Sequence, residues 1–398
     1  METEKTDLVL RSDQLLDRLV GWRRDFHRFP ELSFQEKRTS EKVAEILESF
    51  RTFEIEKNVG GYGIIATLSH GEGPVIGIRA DMDALPITET TDVPWTSQHP
   101  GVMHACGHDA HMAILLGIAQ LVAEDAKAGR FQGTIKLIFQ PAEESCDAAG
   151  KTGAIKMLES GRLQDLEAVL SLHMCPWRKS GEIQWNDGPS MANNDEFHMR
   201  IQGSGGHAGY PQQVKDPIWM ATYVLQALYS LNGRKVNPLD VGTISVGQVH
   251  AGEANNVIPS TIDIKGTIRS YKDDVRDVLC QGIHQAANVV TALGGEYSLR
   301  IHHGEPSLIN APEINRIIKE AASGLNMFEE PFGMGSEDFS YFTRRIPGAM
   351  FFLGCGLEKE RSLHQSDFDM DERSLPIGVR VLLKSVYLLL ERGGAHSK

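Results

Sequence analysis

The stretch His104-Ala105-Cys106-Gly107-His108-Asp109-Ala110-His111 packs a thiol, three imidazoles and a carboxylate into eight residues. Cys and His two apart, beside an acid and at the mouth of a helical pattern, offer soft and borderline metal ligands at close quarters. Taken alone, the segment reads equally well as a buried cysteine beside surface histidines. Four other places shift that balance. Asp81-Met82-Asp83 follows an apolar run at 75–80, Glu143-Glu144 follows a run ending at Phe139, and His173 follows one ending at Leu172. His364 comes after a loop that leaves a run ending at Leu353. If these runs are strands of one open α/β sheet, their carboxyl ends deliver Asp, Glu-Glu, His and His to a single edge, where such sheets gather functional groups. Adjacent glutamates are usually a solvated charge pair. Beside Cys106 and His108 they suit a two-metal site, in which one carboxylate coordinates and the other serves as a base.

The elements that must carry these groups are visible as changes of period. Val43, Ile46, Leu47 and Phe50 fall at i, i+3, i+4 and i+7, the apolar face of a helix. Runs at 64–68, 75–78, 134–139 and 168–172 are short, apolar and β-branched, the pattern of buried strands, and a helix is expected over about 110–127. Strands alternating with helices predict an α/β layer, a mainly parallel sheet with helices on both faces. The middle third differs. Phe197, Met199 and Ile201 alternate with polar residues, and Asp216-Pro217 provides an N-cap and first helical position. Strands at 242–249 and 261–270, a helix at 273–293 and a strand at 296–301 complete a β-α-β-β-α-β order, the ferredoxin-like arrangement. The expected organisation is an α/β domain in two parts, residues 1–190 and 304–398, which carries the candidate metal-binding residues, with a small α+β domain inserted at 191–303.

Composition narrows the function classes. Of 398 residues, 41% are hydrophobic and 23% charged, ordinary globular proportions. Forty Lys+Arg against fifty-three Asp+Glu give a net charge of −13, with no basic run, which argues against a nucleic-acid partner. No apolar stretch of about 18 residues suggests a membrane span. The charged N-terminal residues lack a signal-peptide pattern, and five scattered cysteines without a Cys-x-x-Cys pair suit a reducing compartment, so a cytoplasmic protein is expected.

The ordered motifs resemble a family, the binuclear metallo-amidohydrolases that include hippurate hydrolase, bacterial N-acyl-amino-acid deacetylases and plant auxin-conjugate hydrolases, related to aminoacylase and glutamate carboxypeptidase. The resemblance runs through 28–34, 79–86, 103–111, 140–144, 203–208, 256–259, 266–270, 335–339 and Leu363-His364. It implies that Cys106, His108, Glu144, His173 and His364 hold two divalent ions (Zn, Mn, Ni or Co), with Cys106 bridging. Glu143 becomes the general base for a bridging water, and Asp83 orients the site. Asp81 stands where more distant relatives have a metal-binding His, while His104, Asp109 and His111 belong to the motif in supporting roles. In the insert, His207 would polarise the scissile carbonyl, and Asn256 and Arg269 would hold the substrate carboxylate, a task suited to the planar fork of Arg. The implied reaction is hydrolysis of the amide bond of N-acetyl or N-aroyl amino acids by a homodimer or higher homo-oligomer formed through the insert.

Three rival readings remain at this level. One is a metallo-carboxypeptidase or dipeptidase acting on short peptides. Another is a thiol amidase with Cys106 as nucleophile and His108 as base, which would have no need of Glu144, His173 and His364 at strand ends. The third is a non-catalytic protein that binds acyl amino acids.

Overall fold

The apolar runs of the sequence become the middle of a sheet. In the computed structural model, which describes residues 2–393, eight strands lie side by side. Their order is Glu54–Val59, Gly63–His70, Gly133–Gln140, Val75–Asp81, Ala168–Lys179, Gly348–Gly356, Glu182–Trp185 and Asn326–Glu329. The four from Gly133–Gln140 to Gly348–Gly356 run parallel to one another. Antiparallel pairs flank them on both sides, and the last strand returns parallel to its neighbour. Every residue of Val75–Asp81 after Val75 is buried, as are the first eight of Gly348–Gly356. Strands covered on both faces read as unbroken apolar runs, which explains their appearance in the sequence. Helices His108–Lys127 and Leu375–Glu391 pack on these strands and on each other, and Leu16–Arg28 packs on both helices. Their shared core includes Leu19, Leu116, Ile78, Leu170, Phe351 and Val379.

The chain divides into two compact units. The first comprises Met1–Gly188, Ile309–Phe332 and Tyr341–Lys398; the second comprises Pro189–Leu308 and Gly333–Ser340. The short return segment is tied into the second unit by hydrogen bonds from Tyr271 Oη to the Gly333 carbonyl, 2.9 Å, and from Ala192 N to the Gly335 carbonyl, 3.0 Å.

Within the second unit, strand Asp195–Gln202, helix Pro217–Arg234, strands Gly242–Ala251 and Thr261–Ser270, helix Asp273–Ala292 and strand Glu296–His303 follow in that order. The sheet order is Gly242–Ala251, Thr261–Ser270, Asp195–Gln202, Glu296–His303, antiparallel throughout. This is the ferredoxin-like topology that the sequence pattern predicts. Phe197, Met199 and Ile201 point into its core with Val224, Leu228, Leu279 and Ile283. Asp216 caps the first helix, accepting from Ile218 N at 2.9 Å and Trp219 N at 3.2 Å.

All five cysteines are free thiols, and no helix among the described residues is long and apolar enough to cross a membrane.

Candidate metal centre

Gly107 makes the turn that begins the site. Its φ of 89° is left-handed, and a Cβ there would come within 3.1 Å of the Met174 side chain. Only glycine satisfies both demands. The turn places buried Cys106 on one side and starts helix His108–Lys127 on the other, so Cys106 and His108 enter the site from adjacent positions.

Their neighbours arrive from one strand and two loops that follow strands. His173 lies within Ala168–Lys179, and its Nε2 is 3.4 Å from Cys106 Sγ. His364 Nε2 approaches the same sulfur to 3.3 Å and lies 3.3 Å from Glu144 Oε1. Cys106 thus belongs to two separate ligand groups, Cys106–His108–His173 and Cys106–Glu144–His364. A sulfur shared by two groups is what a bridging ligand requires. Two local backbone conformations help build the second group, since Ala142 (φ 48°) and His364 (φ 59°) are left-handed although neither is glycine. Such residues cost energy and persist where surrounding structure holds them. Here the His364 N–H is fixed to the Ala105 carbonyl at 2.8 Å.

The imidazoles are oriented from behind. His108 Nδ1 lies 2.8 Å from the Asp83 carbonyl, and His173 Nδ1 lies 2.9 Å from the Met174 carbonyl. Carbonyls only accept, so each Nδ1 carries a proton and each Nε2 is the ring atom turned toward the site. Burial disfavours charge on His108, but Asp81, Asp83 and Glu144 outweigh it and push its pKa up to about 10. Burial pushes His173 down to about 3, reinforced by His111. The centre therefore combines a field that favours positive charge with a neutral imidazole ready to donate.

Two atoms decide whether cations fit. His108 Nε2 and Glu144 Oε1 are buried and make no hydrogen bond among the described residues. Buried polar atoms are rarely left unpaired. With a thiol and two further imidazoles, they form a donor set that suits divalent metal ions.

Asp83 works through the backbone. Its oxygens accept the N–H groups of Glu143 at 3.1 Å and Glu144 at 3.0 Å, and the Ser33 hydroxyl at 2.6 Å. Glu36, which sequence reasoning missed, accepts the preceding N–H, that of Ala142, at 2.8 Å. Three consecutive N–H groups are thus held by two buried carboxylates, and the Glu143-Glu144 pair is set in place. Glu36 carries no ligand-like spacing. Only its buried position beside the left-handed Ala142 reveals it.

Asp81 takes a different part from the ligand of the distant relatives. Its oxygens lie 2.6 Å from His111 Nδ1 and 2.6 Å from Arg79 Nη1. Burial raises its pKa, but His108, Arg79 and His111 hold it well below the usual carboxylate range. His111 Nε2 accepts the Met174 N–H at 3.0 Å. Both nitrogens of His111 and both oxygens of Asp81 are therefore used, so their grouping with His108 is a brace beneath His173. His104 is buried and burial pushes it down to about 3; Asp109 faces away, toward Arg23 and His27.

The second unit brings His207 and Asn256 together. His207 pairs with Val257 in a two-stranded ladder, and the Ala208 N–H bonds to the Asn256 carbonyl at 3.1 Å. His207 is exposed, and its Nδ1 accepts the Gly209 N–H at 2.9 Å. In the neutral ring the proton is then on Nε2, which can donate. Arg269 is half-buried on Thr261–Ser270, and its guanidinium makes one hydrogen bond among the described residues, to the Ile268 carbonyl at 3.3 Å. Burial lowers its pKa against the opposing pull of Glu305, Asp195 and Glu196.

Comparison with known proteins points the same way. Residues 77–387 match Peptidase family M20/M25/M40. An N-acetyl-L-cysteine deacetylase of Bacillus subtilis (strain 168) is 36% identical over 377 residues, 94% of this chain and 86% of the relative. A thermostable carboxypeptidase of Saccharolobus solfataricus is 35% identical over 387 residues, 94% of this chain and 96% of the relative. A solved Bacillus subtilis structure described as a dinuclear metal binding peptidase from the M20 family superposes with a TM-score of 0.83 at 32% identity, covering 95% of this chain and 99% of that one.

Proposed function

Because the chain belongs to peptidase family M20/M25/M40 and is a metal-dependent amidohydrolase, we propose that it hydrolyses the amide bond of N-acyl amino acids with Glu143 as the proton-transfer group. The observation that carries the reading is the pair of unbonded buried atoms, His108 Nε2 and Glu144 Oε1, beside a sulfur common to two ligand groups. Cys106, His108 and His173 would hold one divalent ion, and Cys106, Glu144 and His364 the other. Once bound, the ions would supply Lewis-acid polarisation of the amide carbonyl and a lower pKa for water at the site.

The chain's own residues do the rest. Glu143 takes a proton from the attacking water and returns it to the leaving nitrogen, which becomes a free amine. Asp83 and Glu36 hold its backbone so that the carboxylate keeps its direction. His207, with its proton on Nε2, donates to the oxygen on which negative charge develops. Arg269, a half-buried cation without a carboxylate partner among the described residues, pairs with the substrate carboxylate, aided by Asn256. We further propose a homodimer or higher homo-oligomer formed through the second unit, supported by the exposed Ile218, Trp219, Tyr223 and Tyr229 of helix Pro217–Arg234. A reducing, cytoplasmic setting suits a Cys106 thiolate, which oxidation would remove from the donor set.

The likeness to a carboxypeptidase favours peptides as a second substrate class. Release of free amino acid from N-acetyl, N-benzoyl and dipeptide substrates, with added divalent ion, tests both. Release from the acylated amino acids supports the first reading, and release from the dipeptides alone would replace it with the second.

A further inference from the structure

Trp177 lies four residues beyond His173 on the same strand, Ala168–Lys179. It is 46% exposed, and among the described residues of the first unit it is the one large aromatic side chain exposed to that degree. Its orientation is fixed. The indole N–H donates to Gln184 Oε1 at 3.0 Å, and Gln184 in turn donates to the Pro331 carbonyl at 2.9 Å. The polar edge of the ring is therefore used, and what remains for solvent is apolar.

A continuous aromatic wall joins this ring to the metal centre. Phe352 sits in register with His173 on the neighbouring strand, and their rings stack at 5.0 Å and 21°. Trp177 lies 5.6 Å from Phe352 on centroids, and Phe332 lies 4.2 Å from it. Phe352 is buried beneath this wall. Buried Phe352 and Phe332 hold the indole from behind, so the exposed face of Trp177, one ring removed from His173, offers a fixed apolar contact of the kind in which aromatic rings bury area and a few polar groups fix orientation.

We propose that Trp177, backed by Phe352 and Phe332, is the specificity-determining contact for the acyl group of the substrate, and that it selects aromatic acyl groups over acetyl. This rests on the amidohydrolase reading. That reading puts the acyl carbonyl at the ions that His173 would help to hold, so the acyl group lies next to the rings that lead from His173 to Trp177. An aromatic pair adds to area burial, so an edge of about 10-fold for benzoyl over acetyl is expected.

The test compares N-benzoylglycine with N-acetylglycine, and N-acetylphenylalanine with N-acetylglycine, each with divalent ion present. Dissociation constants are read by calorimetry in a Glu143→Gln background, with and without Trp177→Ala or Trp177→Phe; kcat/KM ratios are read in chains that keep Glu143. The expected result is a benzoyl preference that collapses about 10-fold in Trp177→Ala and is largely kept in Trp177→Phe, in both readouts. No benzoyl preference in the binding of the chain that keeps Trp177 overturns the proposal without recourse to any Trp177 variant. So does a preference that survives Trp177→Ala, and so does a loss confined to N-acetylphenylalanine, which would place the amino-acid side chain on the wall. Turnover of both acyl substrates with any of these outcomes leaves the amidohydrolase reading standing. Absence of turnover alongside a Trp177-dependent binding preference would remove that reading and keep the wall.

Discussion

His108 and Asp109 are neighbours in the chain and face opposite kinds of polar environment. Behind the turn, Asp109 accepts from Arg23 Nε at 2.9 Å, from His27 Nδ1 at 2.7 Å and from Ala110 N at 2.9 Å. Arg23 continues to Glu372 at 3.2 Å, and His27 Nε2 continues to Glu89 at 3.2 Å. Burial raises the Asp109 pKa, yet Arg23 and His27 hold it far below the carboxylate range. The His27 pKa is raised despite its burial, chiefly by Asp109. In front of the turn, His108 Nε2 and Glu144 Oε1 have no hydrogen bond among the described residues. Buried charge needs a partner. Behind the turn the protein supplies its own, whereas in front it leaves room for one. One region is scaffold and the other is a receptor, although a single helix N-terminus serves both.

That contrast breaks cleanly under mutation. In the receptor half, Glu143→Gln should lower kcat by roughly 10³, the usual scale of a lost acid–base group, with metal content unchanged by elemental analysis. Activity within tenfold of the parent would remove Glu143 from the base role. In the scaffold half, Arg23→Met leaves Asp109 buried without its main cation. Urea unfolding should show a loss of about 3–5 kcal/mol, while the folded variant still takes up its ions. An unchanged midpoint would mean that the network is not the support we describe.

Glu36 stands between the halves, with one oxygen on backbone N–H groups and the other unpaired. Burial, aided by Asp83, lifts its pKa from 4.5 to about 7. The folded chain therefore keeps a proton that the unfolded chain loses near pH 4.5. The stability this contributes is complete below that value and is lost as pH rises through about 7, of order 3 kcal/mol. Glu36→Gln, which cannot ionise, should flatten the decline between pH 4 and pH 8, read from urea midpoints with chelator present. A variant whose midpoint falls as steeply as the parent's would contradict the assignment. The smallest single effect is the stabilisation by each bound ion, about 2.7 kcal/mol per ion at a hundredfold excess over its Kd, and it should be absent or reduced in Cys106→Ser.

Much of this architecture was legible before the structure, for identifiable reasons. The central strands are buried on both faces, so 75–80 and 134–139 announce themselves as apolar runs. Because they are parallel, their ends all lie at one edge, and groups as distant as Asp81, Glu143, His173 and His364 could be placed there together. The insert was legible from the switch to alternation at Phe197, Met199 and Ile201. Other parts had no such signal. The strand carrying His173 runs on to Lys179 through Pro176 and two basic residues, so no apolar run marks Trp177 as part of it. The last two strands of the sheet, Glu182–Trp185 and Asn326–Glu329, have four residues each, too short to establish a period. The Arg23–Asp109 bond spans 86 positions, and the part played by Glu36 depends on one left-handed backbone angle at Ala142. Long-range pairing and local backbone angle leave no trace in residue spacing.

The most direct test of the receptor half is a metal titration of the chelator-stripped protein, followed by calorimetry and elemental analysis, for the parent chain and Cys106→Ser. The account predicts two ions per chain in the parent and weakened binding of both in the variant, because one sulfur serves both groups. Uptake of a single ion by the parent, or unaltered uptake of two by Cys106→Ser, would contradict it.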